Sequence, residues 1–357
     1  MKPIDETTAT GTRMSDFDYD LPEELIAQTP LHDRSSSRLM IVDRQTQAIS
    51  HSSFTGLGAF LRPGDLLVLN DSRVIPARLL IRRKSGGRGE LLLLHRTENR
   101  AEWIALSRPT RKLRAGQAVE VLPVDSTAEP ATATILEKLD DSTVKVRLDP
   151  DVDANLEAYG HVPLPPYIRT DLPDPERYQT VYGVAIGSAA APTAGLHFTS
   201  ELLSELEQTG IGIARVTLHV GLDTFRPVVE DMAEDHEIHT EWCSVEPTTV
   251  MAIQQCRSNG GRVIAVGTTA ARTIETLARR AGTGDLASFA GPTDIYITPG
   301  YEWKLVDGLI TNFHLPKSTL ILMVSSFAGH DLIKRAYQEA IDRRYRFFSF
   351  GDATLIL

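Results

Sequence analysis

The feature that most constrains the fold of this chain is a change of texture near residue 150. From about Leu66 to Pro150 the sequence runs in short segments, LLVLND, VIPARLLIRR, GELLLLHR, AEWIALSRP, AVEVLP, ATATILEK and TVKVRLD, punctuated by Gly, Pro, Asp and Asn. Several alternate apolar with polar residues, and turn signals at this spacing predict a small antiparallel barrel. After a proline-rich connector, HVPLPPYIRTDLPDPERYQTVYG, strands and helices take turns. Helix 200–209 places Leu202, Leu203 and Leu206 on one face and stops at Gly210. The strand IGIARVTLHV then sets Ala214, Val216, Leu218 and Val220 against Arg215, Thr217 and His219. RVIAV reads as a buried strand before the helix AARTIETLARR, DIYIT as a further strand, and STLILMVSSFAG as a buried helix or strand. HDLIKRAYQEAIDRRY carries an apolar stripe at helical spacing. This alternation predicts an α/β layered main domain with a largely parallel sheet and an inserted small β-barrel domain. The expected organisation is a flexible extension over 1–15, an α/β catalytic domain from 16–65 and 151–357, and the barrel over 66–150.

The chain's 357 residues are enough for two cores. No run reaches the ~18 apolar residues that span a bilayer. The N-terminus MKPIDETTATGTRM lacks the apolar centre of a signal peptide, so a cytoplasmic protein without membrane contact is expected. The two cysteines, Cys243 and Cys256, make no disulfide framework, suit a reducing compartment and are too few for a three-cysteine iron–sulfur cluster. A net charge of −10 argues against bulk electrostatic attraction to nucleic acid. Three local clusters run against that trend: Arg82, Arg83, Lys84 and Arg88; Arg108, Arg111, Lys112 and Arg114; Arg343, Arg344 and Arg346. A single cluster is ordinarily solvated surface, but three on an acidic chain suggest a polyanionic partner.

Candidate chemistry gathers where loops meet regular elements. APTAGLHFT puts Thr193, Gly195, His197 and Phe198 directly before a helix, where they either cap the core and the helix or face a ligand. AVGTTAARTIE runs from a strand through Gly267, Thr268 and Thr269 into a helix bearing Arg272, where a Thr either simply caps the helix or the joint receives a carboxylate or phosphate. LHVGLDTFRPV offers His219, Gly221, Asp223, Thr224 and Arg226; LITNFHLPKSTL offers Asn312, Phe313 and His314. One polar–aromatic joint is unremarkable, whereas three suggest a shared cleft. DHEIHTEWC holds His236, His239 and Cys243, but with no paired C-x-x-C and no fourth ligand it reads as a polar strand edge, and no metal site is expected. Neither a dinucleotide glycine fingerprint nor a phosphate-loop motif occurs.

NDSRVIPARL, PTAGLHFT, HVGLDTFRPV, HTEWC, VGTTAARTIET, TDIYITPGYEWKLVDGLITNFHLPKSTLILMVSSFAG and FSFGDATLIL together resemble the S-adenosylmethionine:tRNA ribosyltransferase-isomerases of the queuosine pathway. The resemblance runs from about Asp16 to Leu357; the first fourteen residues depart from it, with Met14 in the place of the usual start. It implies an enzyme that moves and isomerises the ribosyl part of S-adenosylmethionine onto 7-aminomethyl-7-deazaguanine in the tRNA anticodon. Adenine and methionine would leave, with S-adenosylmethionine as co-substrate, no further cofactor and no obligate protein partner.

Such chemistry needs a base for the carbon beside the sulfonium, protonation or hydrogen bonding at the departing adenine, and a neutral attacking amine. His197, His219, Asp223 and His314 are the titratable candidates. Phe198 and Phe313 are candidates for stacking on a nucleobase. Asp71, Arg73, Thr193, Gly195, Gly221, Thr224, Gly267, Thr268, Thr269, Arg272 and Asn312 are expected to bind substrate, and Arg108, Arg111, Lys112 and Arg114 to touch RNA phosphates. Two other readings stand beside this one: a non-enzymatic RNA-binding protein using the barrel, and a transferase acting on a free nucleoside.

Overall fold

The computed structural model describes residues 11–99, 101–125, 127–221 and 228–357. Its largest element is a mixed nine-stranded sheet. Gly212–His219, Leu66–Asn70, Val263–Val266 and Gly308–Asn312 run parallel at its centre, and Ala353–Ile356 lies antiparallel beside Gly308–Asn312. Glu241–Val245 and Phe289–Thr293 extend one flank in antiparallel order; Arg38–Val42 and Ile49–Ser53 extend the other.

Along Leu66–Asn70, Val263–Val266 and Gly308–Asn312 every residue is buried, and successive side chains enter different cores. Leu66 and Val68 pack with helices Pro247–Ser258, Thr268–Ala281, Thr319–Ala328 and His330–Asp342, through Ile253, Ile274, Leu322 and Ala336 among others. Leu67 and Leu69 pack on the opposite face with Phe54, Phe198 and helix Ser200–Gln208. A sheet covered on both faces needs such unbroken apolar strands, and parallel pairing follows from the strand–helix crossovers.

The barrel closes through six antiparallel strands. Arg78–Arg83, Arg88–Arg96, Glu102–Arg108, Thr143–Leu148, Ala131–Lys138 and Ala118–Val121 pair in that order, and the last returns to the first. Alternate residues, Leu79, Ile81, Leu91, Ala105, Val119, Ile135 and Val144, fill a separate core.

Three segments differ from the sequence reading. LLVLND and the following Ser72–Val74 are not barrel strands: Leu66–Asn70 is the middle of the large sheet and Ser72–Val74 pairs with Ala185–Ser188. A short apolar strand looks alike in either setting, and only its partners distinguish them. DIYIT has no strand pairing; the strand lies just before it, while Ile295 and Ile297 are buried as an extended segment. At the N-terminus, Met14 is already 2% exposed and its N–H donates to the Asp231 carbonyl at 3.0 Å, so order begins ahead of residue 15.

Candidate active site

The chain passes into the barrel at Ile75–Ala77 and returns beside it at Gly160–His161, which pairs with Arg78 and Leu79. Both crossings lie at one barrel end, and there a cleft of about 1050 Å³ separates the barrel from the large sheet. Its barrel wall carries His95, Arg96, Trp103 and Asp153; its sheet wall carries His219, Gly221, Trp242, Arg272 and Tyr296.

On the sheet wall, antiparallel register sets His219 opposite Trp242. The two rings stack with centroids 5.3 Å apart and planes 17° from parallel. Trp242 remains 45% exposed, an unusual state for so large an apolar ring. Gly187 backs the imidazole so closely that a Cβ there would fall 2.9 Å from its ring atoms. His219 Nδ1 is buried without a hydrogen-bond partner. Burial pushes the His219 pKa below its usual value, with nearby Asp71 opposing that shift. Burial in turn raises Asp71, although it accepts a 2.7 Å hydrogen bond from Thr217 Oγ1.

Arg272 projects from the second turn of helix Thr268–Ala281, and only 6% of its side chain is exposed. Its Nη1 pairs with Glu241 Oε2 and its Nε donates to the Ile295 carbonyl at 3.3 Å. The other oxygen, Glu241 Oε1, accepts from the Gly221 N–H at 2.8 Å. Across the cleft, the Arg96 guanidinium lies 4.3 Å over the Trp103 ring, and Asp153 accepts from Arg96 Nη1 at 2.8 Å and Trp103 Nε1 at 2.7 Å.

A second hollow, of about 60 Å³, shares Val220 and Leu320 with the cleft wall. It lies at the C-terminal ends of the parallel strands, where Gly267, with φ 90°, turns the chain into the helix begun by Thr268 and Thr269. Asn312 organises it: Oδ1 accepts from Thr193 Oγ1 at 2.9 Å, and Nδ2 donates to the Phe348 carbonyl and to His197 Nε2, both at 3.1 Å. Because that carbonyl can only accept, the amide orientation is set, and the proton of His197 sits on Nδ1, donated to Ser37 Oγ at 2.8 Å.

Several expected site residues are placed elsewhere. His197 is 4% exposed, stacked on Phe54 with centroids 5.0 Å apart, and burial with Arg346 and Arg34 nearby lowers its pKa to about 3. His314 is likewise buried, hydrogen-bonded to Thr311 Oγ1 at 2.7 Å, with a pKa lowered to about 3 by burial. Neither imidazole can readily take up a proton, and His314 lines the second hollow rather than the cleft. Phe198 and Phe313 are fully buried: the first packs on Phe54, the second among Tyr337, Tyr345 and Phe347. Neither ring lines the large cleft, and Phe313 borders only the second hollow. A Cβ on Gly195 would lie 2.0 Å from the Tyr182 hydroxyl, so close packing accounts for that glycine. Arg73 is held by Glu176 at 2.5 Å. Asp223 and Thr224 lie outside the described residues.

The basic clusters sort differently. Arg108, Arg111, Lys112 and Arg114 are exposed around the turn Thr110–Lys112, and none forms an ion pair among the described residues. Strand register brings the 84–87 hairpin to the same barrel end, since Arg82 faces Arg88 and Arg83 faces Val119. Exposed Lys84 and Arg88 therefore join the second cluster, although Arg82 is taken by Glu120. In the third cluster, Arg343 pairs with Glu339, Arg344 with Glu24, and Arg346 donates to the Thr29 carbonyl. The potential metal ligands also separate: His236 Nδ1 meets Glu230 at 3.0 Å, while Cys243 is buried beside Leu218 and Val220 with its thiol pKa pushed up to about 11 by burial.

Sequence reasoning missed the barrel wall and the role of Trp242. Both tryptophans sit in short alternating strands, EWIAL and TEWCS, where so large a ring was a usable signal of a strand face bordering the cleft.

Comparison with known proteins places this geometry in context. The family described as queuosine biosynthesis protein matches residues 14–356. An S-adenosylmethionine:tRNA ribosyltransferase-isomerase of Symbiobacterium thermophilum is 51% identical over 349 residues, covering 97% of this chain and 100% of that protein. One of the same name from Caldanaerobacter subterraneus is 51% identical over 346 residues, with the same coverage. The crystal structure of S-adenosylmethionine tRNA ribosyltransferase from Thermotoga maritima is similar with a TM-score of 0.55 and 39% identity, covering 96% of this chain and 100% of that one.

Proposed function

Because this chain belongs to the queuosine biosynthesis protein family, we propose that its interdomain cleft is where a ribosyl group passes from S-adenosylmethionine to a tRNA nucleotide. The enzyme transfers and isomerises the ribosyl moiety of S-adenosylmethionine onto 7-aminomethyl-7-deazaguanine at the wobble position. Epoxyqueuosine-tRNA forms, and adenine and methionine leave. One observation carries the placement. The cleft is larger than most single-ligand pockets and has a cation–ring pair, Arg96–Trp103, on one wall and a ring stack, His219–Trp242, on the opposed wall. That suits a nucleoside donor together with a base splayed out of an RNA loop.

Within the cleft, the positive sulfur acidifies the neighbouring donor carbon, and His219 is the group that takes its proton. Burial keeps its imidazole unprotonated near pH 7, so a ring nitrogen is open to receive a proton. Trp242 offers a flat face to a nucleobase. The apolar wall of Ile295, Tyr296 and Met323 favours the neutral form of the attacking amine. The donor is a co-substrate and the reading calls on no other cofactor. The basic barrel end grips RNA backbone, roughly 17 Å of strand from Trp103, far enough to position the substrate without touching the chemistry.

We read the catalytic unit as a monomer, and free buried cysteines suit the cytoplasm, where tRNA is found. Among the described residues no helix is long and apolar enough to cross a membrane. The test is direct. Purified protein, S-adenosylmethionine and a stem-loop bearing the precursor base should yield a heavier RNA with release of adenine and methionine. Release that proceeds equally with the free base would favour the nucleoside-transferase alternative, and RNA binding without any release would favour a binding protein.

A further inference from the structure

Resting on the reading of the cleft as a donor site, we propose that Arg272 receives the α-carboxylate of the donor's amino-acid portion. The guanidinium has five N–H groups and no acceptor. In this protein Nε and Nη1 are engaged, by the Ile295 carbonyl and by Glu241, while Nη2 is buried and has no hydrogen-bond partner. A buried charged donor left unmatched is costly and uncommon, and one at the wall of a large cleft is matched when an anion arrives.

The surroundings select the kind of anion. Glu241, fixed by the Gly221 N–H, holds the guanidinium in place and balances its charge. Ile295, Tyr296 and Ile297 line the same wall, so a charge-assisted bond formed there is little screened. A phosphodiester must continue along its strand on both sides, so it fits poorly against a guanidinium whose side chain is only 6% exposed. A free α-carboxylate is a chain end and can be taken in whole. Arg272 thereby anchors the methionyl arm and sets where the sulfonium and its neighbouring carbon lie.

The experiment is calorimetry on the whole protein with a stem-loop carrying ordinary guanine at the wobble position, so that no turnover occurs. S-adenosylmethionine and its decarboxylated analogue are the probes. The wild type should bind the decarboxylated donor about 10–100-fold more weakly, the range of a hydrogen bond to a charged group. Arg272→Gln should weaken S-adenosylmethionine by a similar factor and leave the analogue nearly unchanged, bringing the ratio close to one. Arg272→Lys should retain part of it. Since Arg272→Gln leaves a buried carboxylate unpaired, Arg272→Gln with Glu241→Gln is measured alongside, with melting curves to confirm folding. Equal binding of both donors by the wild type overturns the proposal while leaving the functional reading standing. So does a variant that weakens both donors alike and flattens the salt dependence of stem-loop binding, which would make Arg272 a phosphate contact. A wild type that binds neither donor overturns the functional reading and this inference together.

Discussion

A histidine buried among cationic neighbours or with none at all gives up its proton, and His197 and His314 both do so, with pKa values lowered to about 3. In the unfolded chain each titrates near the usual 6.5, so below that pH the unfolded state binds protons the folded state refuses. Their contribution to stability is whole above about pH 6.5 and is lost as pH falls, at up to about 1.4 kcal/mol per pH unit for each. Urea midpoints taken from about pH 7.5 to 5 should show this slope, and His197→Gln or His314→Gln should each reduce it by about one proton; an unaltered slope would contradict buried neutral imidazoles. Phe198→Ala removes a fully buried ring and should cost about 3–5 kcal/mol of unfolding free energy, with the folded fraction keeping its turnover number. His219→Gln should do the reverse, lowering kcat by about 10²–10⁴ with little change in melting. The wild-type acid limb should lie below pH 6.5, because burial lowers that imidazole's pKa; a limb above 6.5 would remove His219 as the base. The sequence placed His197 and His219 at ligand-like joints, and the structure keeps only His219 on the cleft. The difference turns on which way a side chain points from the short turn Thr193–His197, which carries no periodicity from which facing could be read.

At the scale of elements, two clusters far apart in sequence meet at one barrel end because the closing pair Arg83–Val119 brings the 84–87 hairpin beside the 109–117 turn. Replacing Arg108, Arg111, Lys112 and Arg114 with Ser should weaken stem-loop binding. Its salt dependence should flatten by slightly less than about one unit for each phosphate the protein no longer neutralises. Turnover at saturating RNA should hardly change. An unchanged slope would mark the turn as plain solvated surface, and adding Lys84→Ser and Arg88→Ser should flatten it further. Each cluster was legible in the sequence, but their union was not, since barrel closure is a long-range pairing with no local signature. The helices were legible through their stripes: His330–Asp342 buries Leu332, Ile333, Ala336, Tyr337 and Ala340, as its spacing requires. Leu66–Asn70 was legible as a strand but not as a member of a particular sheet, because burial on both faces erases the alternation that would have assigned it.

For the whole molecule, the three tryptophans divide usefully: Trp103 and Trp242 face each other's wall of the cleft, while Trp303 packs against Phe327. Stacking of a nucleobase should quench the first two. In a Trp303→Phe background, a precursor-bearing stem-loop should lower the emission, and Trp242→Phe should remove most of that response; emission indifferent to RNA would put the base outside the cleft. That a cleft exists at all follows from the barrel being set into the α/β chain, and the insertion was readable from the texture change, whereas the residues it contributes to the far wall were not. The two crossings lie so close that a Cβ on Gly160 would sit 1.7 Å from the Pro76 carbonyl oxygen. A domain tied in at neighbouring points leaves the host fold's own continuity almost undisturbed. Substitutions at the barrel's outer end can therefore accumulate without passing strain to the central sheet, so the two ends of the barrel are free to answer to separate demands.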